Sequence, residues 1–309
     1  MSKKATNLAA LARHGVQVPQ GFYIDASHYC EAVAPRRDEL MLAATDTAEA
    51  HRFFGSLALP ERTARALQDG LSSLSTAGPF AVRSSGNVAV RGRQIMEDGS
   101  EASLAGQFES FLCVPRENIV DAVRLCWASL FNERSIHMFA VDADYVEHSS
   151  MTVLIQEMIP AAASAVVMTV DPLGDGSTGG IELSLGPCEA IVSGAVSPDE
   201  VVFSRATGEI LERRIGAKEI VIEYEPFSRR VANALRRTTP QAAREQLAVS
   251  ENVLTEMVTL ARRIERIFGV PQDLELVVTD RESIVVVQAR PITRLPSTFH
   301  ANGPVYTSD

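Results

Sequence analysis

The stretch "VVVQARPIT", residues 285–293, sets Gln288 and Arg290 on one face of an apolar strand that Pro291 closes. The stretch before it, "DLELVV", carries Glu275. A tight turn centred between Arg281 and Glu282 would pair the two as a hairpin. Glu275 then lies opposite Gln288, with Arg290 one step further along the same face. A carboxylate, an amide oxygen and a guanidinium on one sheet face suit a phosphate site. The two oxygens can hold Mg²⁺, a hard cation that prefers oxygen, and the arginine can neutralise a transferring phosphoryl group. A solvated cross-strand pair at a strand end has the same pattern, so these three residues alone leave both readings open.

Other residue types narrow the chemistry. The chain holds three lysines, Lys3, Lys4 and Lys218, while arginine is plentiful. Arginine-favouring codon usage accounts for the imbalance, but two lysines side by side near the start are candidates for an anion. No GxxxxGK[ST] and no GxGxxG after a strand occur, which excludes a P-loop and gives no dinucleotide fingerprint. Neither a Ser-His-Asp order nor HExxH is present, and the six histidines are scattered.

The elements that must position these residues alternate in type. "KKATNLAALARHGVQVPQGF" reads as a short helix ended by Gly15, then a turn at Pro19–Gly21. Helices follow through the forties to the seventies, and "PFAVRSS" is a short strand ending at Arg83, Ser84 and Ser85. Residues 86–106 read as one long polar loop. One helix is expected over "IVDAVRLCWASLFNERSIHMFA", with Arg134 near its far end. "SMTVLIQEMIP" and "SAVVMTVDP" are strands, and residues 179–205 alternate strand and turn with a hairpin at "RATGEI". Residues 241–268 form the clearest helix. The pattern predicts an α+β fold with mixed, mainly antiparallel sheets. Its expected divisions are a helix-rich part over 1–150, a strand-rich part over 151–295 and a tail over 296–309.

A chain of 309 residues with net charge −10 can bury a large core and lacks the basic surface that general nucleic-acid binding needs. It has no apolar run of membrane-spanning length, and its first residues do not read as a signal peptide. Four scattered cysteines, Cys30, Cys113, Cys126 and Cys188, suit reduced thiols in a cytoplasm.

Six ordered motifs resemble the ATP-grasp nucleotide-binding region of the family of phosphoenolpyruvate synthase, pyruvate phosphate dikinase and rifampin phosphotransferase. They are "KATNLAALARHGVQVPQGF", "AVRSS" with "SLAGQFESFL", "CWASLFNERS", "VLIQEMI", "CEAIVSGAVSPDEVVFSR" and "QARPIT". The resemblance runs from about Lys4 to Thr293 and implies an ATP-grasp fold of two subdomains that close over ATP. Carried over residue by residue, it implies that Lys4 reaches the terminal phosphates and that Arg83 and Arg134 bind phosphate. The loop with Ser103, Gly106 and Gln107 would cover the phosphates with backbone N–H groups. Gln156, Met158 and Ile159 would lie along adenine, and Glu189 would approach the ribose. Glu275 and Gln288 would hold magnesium, and Arg290 would face the transferred phosphate.

The sequence departs from the family's pattern in several places. The family's GGK stands here as Ser2-Lys3-Lys4, and the stretch between Arg83 and Gly106 is longer than usual. Gly186-Pro187-Cys188 stands for Gly-Leu-Gly, and Ala165 replaces a usual glycine. The family's swivelling histidine domain has no counterpart before the chain ends, and His300 carries no carrier pattern. The resemblance therefore implies an ATP- and Mg²⁺-dependent phosphotransferase. Its acceptor is either a histidine on a separately encoded partner or a small molecule bound directly. An ATP-grasp ligase working through an acyl phosphate, and a nucleotide-binding relic without turnover, are the alternatives.

Overall fold

The computed structural model describes residues 3–90, 93–96, 107–139, 141–224, 234–293 and 295. The contacts divide the chain into two compact units. The first comprises Met1–Thr6, Pro19–Met158 and Tyr224–Asn233, the second Asn7–Val18, Ile159–Glu223 and Ala234–Asp309. The break falls at Met158 rather than near residue 150, and the early segment Asn7–Val18 goes with the second unit. Both departures from the expected division have local causes, given below.

Helix α1 (Lys3–Arg13) opens the chain, and Gly15 follows it with φ +71°. The first unit continues with β1 (Gly21–Ile24), α2 (Ala26–Val33), α3 (Arg37–Ala43), α4 (Thr47–Ser56) and α5 (Glu61–Ser73). Next come β2 (Phe80–Val90), β3 (Arg93–Met96), β4 (Ser110–Val114), α6 (Ile119–Ala128), α7 (Glu133–Phe139), α8 (Ala143–His148) and β5 (Ser150–Glu157). Its sheet runs β1-β5-β2-β3, with β4 also on β2, and every recorded pair is antiparallel. Because β5 lies between β1 and β2, residues 150–157 cannot belong to the second unit. The core beneath is aromatic: Tyr29, Phe54, Trp127, Phe131 and Tyr145 are buried together. Tyr29 meets Trp127 edge-on at 5.9 Å, an arrangement the ring quadrupoles favour.

Two sequence expectations are corrected in this unit. β2 does not stop after Ser85 but runs on to Val90 and turns back through β3, pairing Asn87 with Met96. Part of the expected long loop is therefore a hairpin. The single helix expected over 119–140 is two, α6 and α7, separated by a turn of 3₁₀ helix at Ser129–Phe131. Asn132 explains the break. Its side-chain oxygen accepts the Ser135 N–H at 2.8 Å, starting a new helix as an N-cap. Arg134 accordingly sits in the first turn of α7, not near the end of a long helix.

The second unit contains β6 (Ala163–Met168), β7 (Thr178–Leu185), α9 (Glu189–Val192), β8 (Asp199–Ser204), β9 (Ile210–Arg214), β10 (Ile220–Tyr224) and β11 (Ala234–Thr238). It ends with α10 (Gln241–Arg244), α11 (Glu251–Phe268), β12 (Gln272–Val278) and β13 (Ile284–Pro291). Its six-stranded sheet has the order β13-β12-β6-β7-β8-β9, and β10 pairs with β11 separately. The helix expected over 241–268 is split, because the Ser250 side chain caps α11 at Val253 N–H. Val253, Leu254, Met257, Val258, Ala261 and Ile264 form the buried stripe of α11, which packs on β12.

Segment 7–18 is stitched into this unit. Leu8, Leu11 and Val16 are buried, Asn7 Nδ2 donates to Ala289 O at 2.9 Å, and Val286 N–H donates to Gln17 O at 2.9 Å. Arg263 also donates to His14 O. The third lysine is structural. Lys218 is wholly buried and ion-paired with Asp199, which also accepts N–H groups from Gly216 at 2.9 Å and Ala248 at 2.8 Å. No helix among the described residues is long and apolar enough to cross a membrane.

Candidate functional site

The β12–β13 hairpin reaches the expected pairing by an unexpected route. Its turn is centred on Arg281, half a residue before the expected centre between Arg281 and Glu282. Thr279 N–H donates to Ser283 O at 3.0 Å, and Glu282 adopts φ +59°. From there Val278 pairs with Ile284, Val277 with Val285 and Leu276 with Val286. Val287 is then left over as a bulge, and beyond it Glu275 pairs with Gln288 and Asp273 with Arg290. Two irregularities cancel, and the expected partners face each other.

These side chains engage one another. Gln288 Nε2 donates to Glu275 Oε1 at 2.9 Å. Arg290 brings Nε and Nη2 to the same oxygen of Asp273, at 2.8 and 2.7 Å. Period-two alternation puts all four on one face. Asp273 and Gln288 are both buried, whereas the Arg290 side chain keeps 37% of its surface exposed. Burial pushes the Asp273 carboxyl above its usual range, and the Arg290 guanidinium pulls it part of the way back. The group presents two carboxylates, an amide and a half-exposed cation. Its donors are all oxygen, which fits a hard divalent cation, and the guanidinium fits an anion beside it. Asp273 was not singled out from the sequence. The signal was available, since the register that pairs Glu275 with Gln288 also pairs Asp273 with Arg290.

Glu189 and Ile159 also lie in the second unit. Glu189 is exposed at the first position of the four-residue α9, and Ile159 is half-buried at the unit's start.

In the first unit the residues singled out are held by different neighbours. Lys4, in the first turn of α1, donates from Nζ to Ser84 O at 3.0 Å, beside Arg83. Arg83 lies on β2 between Ser110 of β4 and Leu154 of β5, half-buried. Gln107 is buried: its carbonyl accepts Asn132 Nδ2 at 2.8 Å, and its amide donates to Ser135 Oγ at 3.3 Å. Asn132 thus holds both the start of α7, where Arg134 is exposed, and the strand-ward end of the "SLAGQ" segment. Ser103 and Gly106 lie outside the described residues.

Gln156 is buried on β5 between Gly21 and Ala81. A side chain at Gly21 would collide with this strand, since a Cβ there would stand 2.6 Å from Ile155 O. Met158 donates its N–H to Pro79 O at 3.0 Å, and its sulfur accepts the Cys113 N–H at 3.2 Å. The Met158 N–H is therefore already engaged, and edge recognition of a base would fall to other backbone groups there.

A family model described as the AMP/ATP-binding domain of pyruvate phosphate dikinase matches residues 3–305. A probable phosphoenolpyruvate synthase from Methanothermobacter thermautotrophicus is 33% identical over 314 aligned positions, covering 94% of this chain and 44% of that protein. Rifampicin phosphotransferase from a Streptomyces species is 34% identical, with 94% and 34% covered. The prodigiosin synthesizing transferase PigC from Serratia marcescens is 32% identical, with 94% and 31% covered. The chain spans less than half the length of each of these relatives. Matched over nearly all its length, and with its oxygen donors and arginine gathered on one hairpin, the chain belongs to the family of the pyruvate phosphate dikinase AMP/ATP-binding domain.

Proposed function

We propose that this chain binds ATP with Mg²⁺ on an ATP-grasp fold and serves phosphoryl transfer as the nucleotide-binding part of a dikinase-type phosphotransferase. The observation that carries the proposal is the β12–β13 group, in which Glu275 meets Gln288 and Asp273 meets Arg290. Glu275 and Gln288, with Asp273 beside them, would hold the cation. Three protein groups do not enclose a magnesium ion, so phosphate oxygens and water would complete its shell. Bound there, the metal would neutralise charge on the terminal phosphates. Arg290 would meet the phosphoryl group being transferred, its own charge kept in place by Asp273.

Lys4, Arg83 and Arg134 would bind phosphate, and Ser103, Gly106 and Gln107 would cover it. Because the Gln107 side chain and carbonyl are engaged by Ser135 and Asn132, its contribution would be its backbone N–H. Gln156, Met158 and Ile159 would line the adenine and Glu189 the ribose. The acceptor is a histidine on a separate swivelling domain or a small molecule. A relative named as a rifampicin phosphotransferase supports transfer to a small molecule. Cys30, Cys113, Cys126 and Cys188 are reduced, without a disulfide among the described residues, which suits a reducing cytoplasm.

Calorimetric titration with ATP, with and without Mg²⁺, tests the reading. Binding strengthened by the metal in wild type and lost in Glu275→Ala supports it; binding indifferent to both overturns the metal assignment. Incubation with acceptor then separates the routes, since direct transfer leaves ADP and the two-step route leaves AMP and phosphate.

A further inference from the structure

β13 is an edge strand, so the backbone groups on its outer side have no ladder partner among the strands of its sheet. Ala289 stands between Gln288 and Arg290, and its carbonyl accepts Asn7 Nδ2 at 2.9 Å. Only the NH₂ end of an amide can meet a carbonyl, which fixes the orientation of the Asn7 side chain. Three residues earlier, Val286 N–H donates to Gln17 O at 2.9 Å. Between these two ties lies Val287, where the ladder to β12 is interrupted. A bulge loosens and twists its strand locally. Fixing the Ala289 carbonyl sets the plane of the Ala289–Arg290 peptide, and hence how the Arg290 side chain leaves the sheet one residue beyond Gln288. The segment that supplies Asn7 is itself anchored, by buried Leu8, Leu11 and Val16 and by Arg263 on His14 O.

We propose that Asn7 is a positioning residue, holding the strand end that carries Gln288 and Arg290 in register for metal-assisted nucleotide binding. The inference rests on the nucleotide reading above and extends it to a residue in the opening helix. It acts through the backbone and touches no ligand.

The test is calorimetric titration of ATP, with and without Mg²⁺, into the full chain and four variants, with Tm measured for each. Asn7→Ala is expected to weaken Mg²⁺-assisted affinity by about three- to tenfold, the worth of one hydrogen bond. Asn7→Asp keeps the shape but turns an acceptor toward the carbonyl, and should weaken it further. Arg263→Ala releases the same segment from His14 without touching β13. It should lower Tm comparably and leave the metal-assisted affinity at the wild-type value. Wild-type affinity in both Asn7 variants, or losses that follow Tm as they do in Arg263→Ala, would overturn the assignment. Glu275→Ala separates the two levels. If it loses metal-assisted binding while the Asn7 variants keep it, the Asn7 role alone falls. If it keeps such binding, the metal assignment at the hairpin falls and takes the Asn7 role with it, and if the wild type shows no ATP binding the nucleotide reading itself falls.

Discussion

The β12–β13 hairpin and the first unit's candidate residues solve the same problem differently. In the hairpin the candidate groups hold each other, Gln288 on Glu275 and Arg290 on Asp273. In the first unit, Lys4 is held by Ser84 O, Gln107 by Asn132 and Ser135, and Met158 by Pro79, neighbours outside the candidate group. The first arrangement is a coupled unit, in which removing one member disturbs its partner. The second is a set of separate anchors whose failures should add.

The largest effect is expected from removing Glu275, the proposed metal ligand. Glu275→Ala should lower Mg²⁺-assisted ATP affinity by about a hundredfold, since even outer partners of metal ligands are worth about 10–100-fold. Far-UV circular dichroism should remain that of the wild type. Next in size, Asp273→Ala strands a guanidinium that is only half exposed. A loss of about 1–2 kcal/mol in stability is expected, less than for a fully buried pair. A double-mutant cycle with Arg290→Ala should give a coupling of at least about 0.5 kcal/mol in denaturant unfolding.

The first unit supplies the contrast. Lys4→Ala should weaken ATP binding by about tenfold while the ratio of affinities with and without Mg²⁺ stays at the wild-type value. Combined with Arg134→Ala, the losses should add in the same titration. Smallest is Asn132→Ala, which removes an N-cap and the hold on Gln107 O; about 1 kcal/mol of stability should go, read by thermal unfolding. Strong non-additivity between Lys4 and Arg134, or none between Asp273 and Arg290, would erase the distinction.

That contrast also explains what the sequence could and could not reveal. Strand alternation and hairpin pairing are local rules, so Glu275, Gln288 and Arg290 could be put on one face from residue types alone. Even there the turn was misplaced, and the pairing survived because Val287 absorbs the difference. The α+β class followed from alternating helical and strand periods. The break between α6 and α7 did not, because the apolar spacing of Ile119, Val123, Trp127 and Leu130 runs up to it, and Asn132 acts as a cap rather than as a breaker. Burial of Lys218, in the segment between β9 and β10, was invisible, since its partner Asp199 lies at the start of β8. The placement of Asn7–Val18 beside β13 was equally hidden. It depends on a side-chain bond between residues at opposite ends of the chain, Asn7 and Ala289.

Val287 bears on how such proteins are recognised. The residue is surplus to the ladder: without it, the run from Val278 and Ile284 would continue unbroken and still set Glu275 against Gln288. The interval between the carboxylate and the glutamine can therefore be one residue shorter with the same groups in contact. A search pattern that fixes that interval will discard sequences whose hairpins carry the same four side chains on an unbulged strand. Matching the two strand motifs separately, with a variable gap, would retain them.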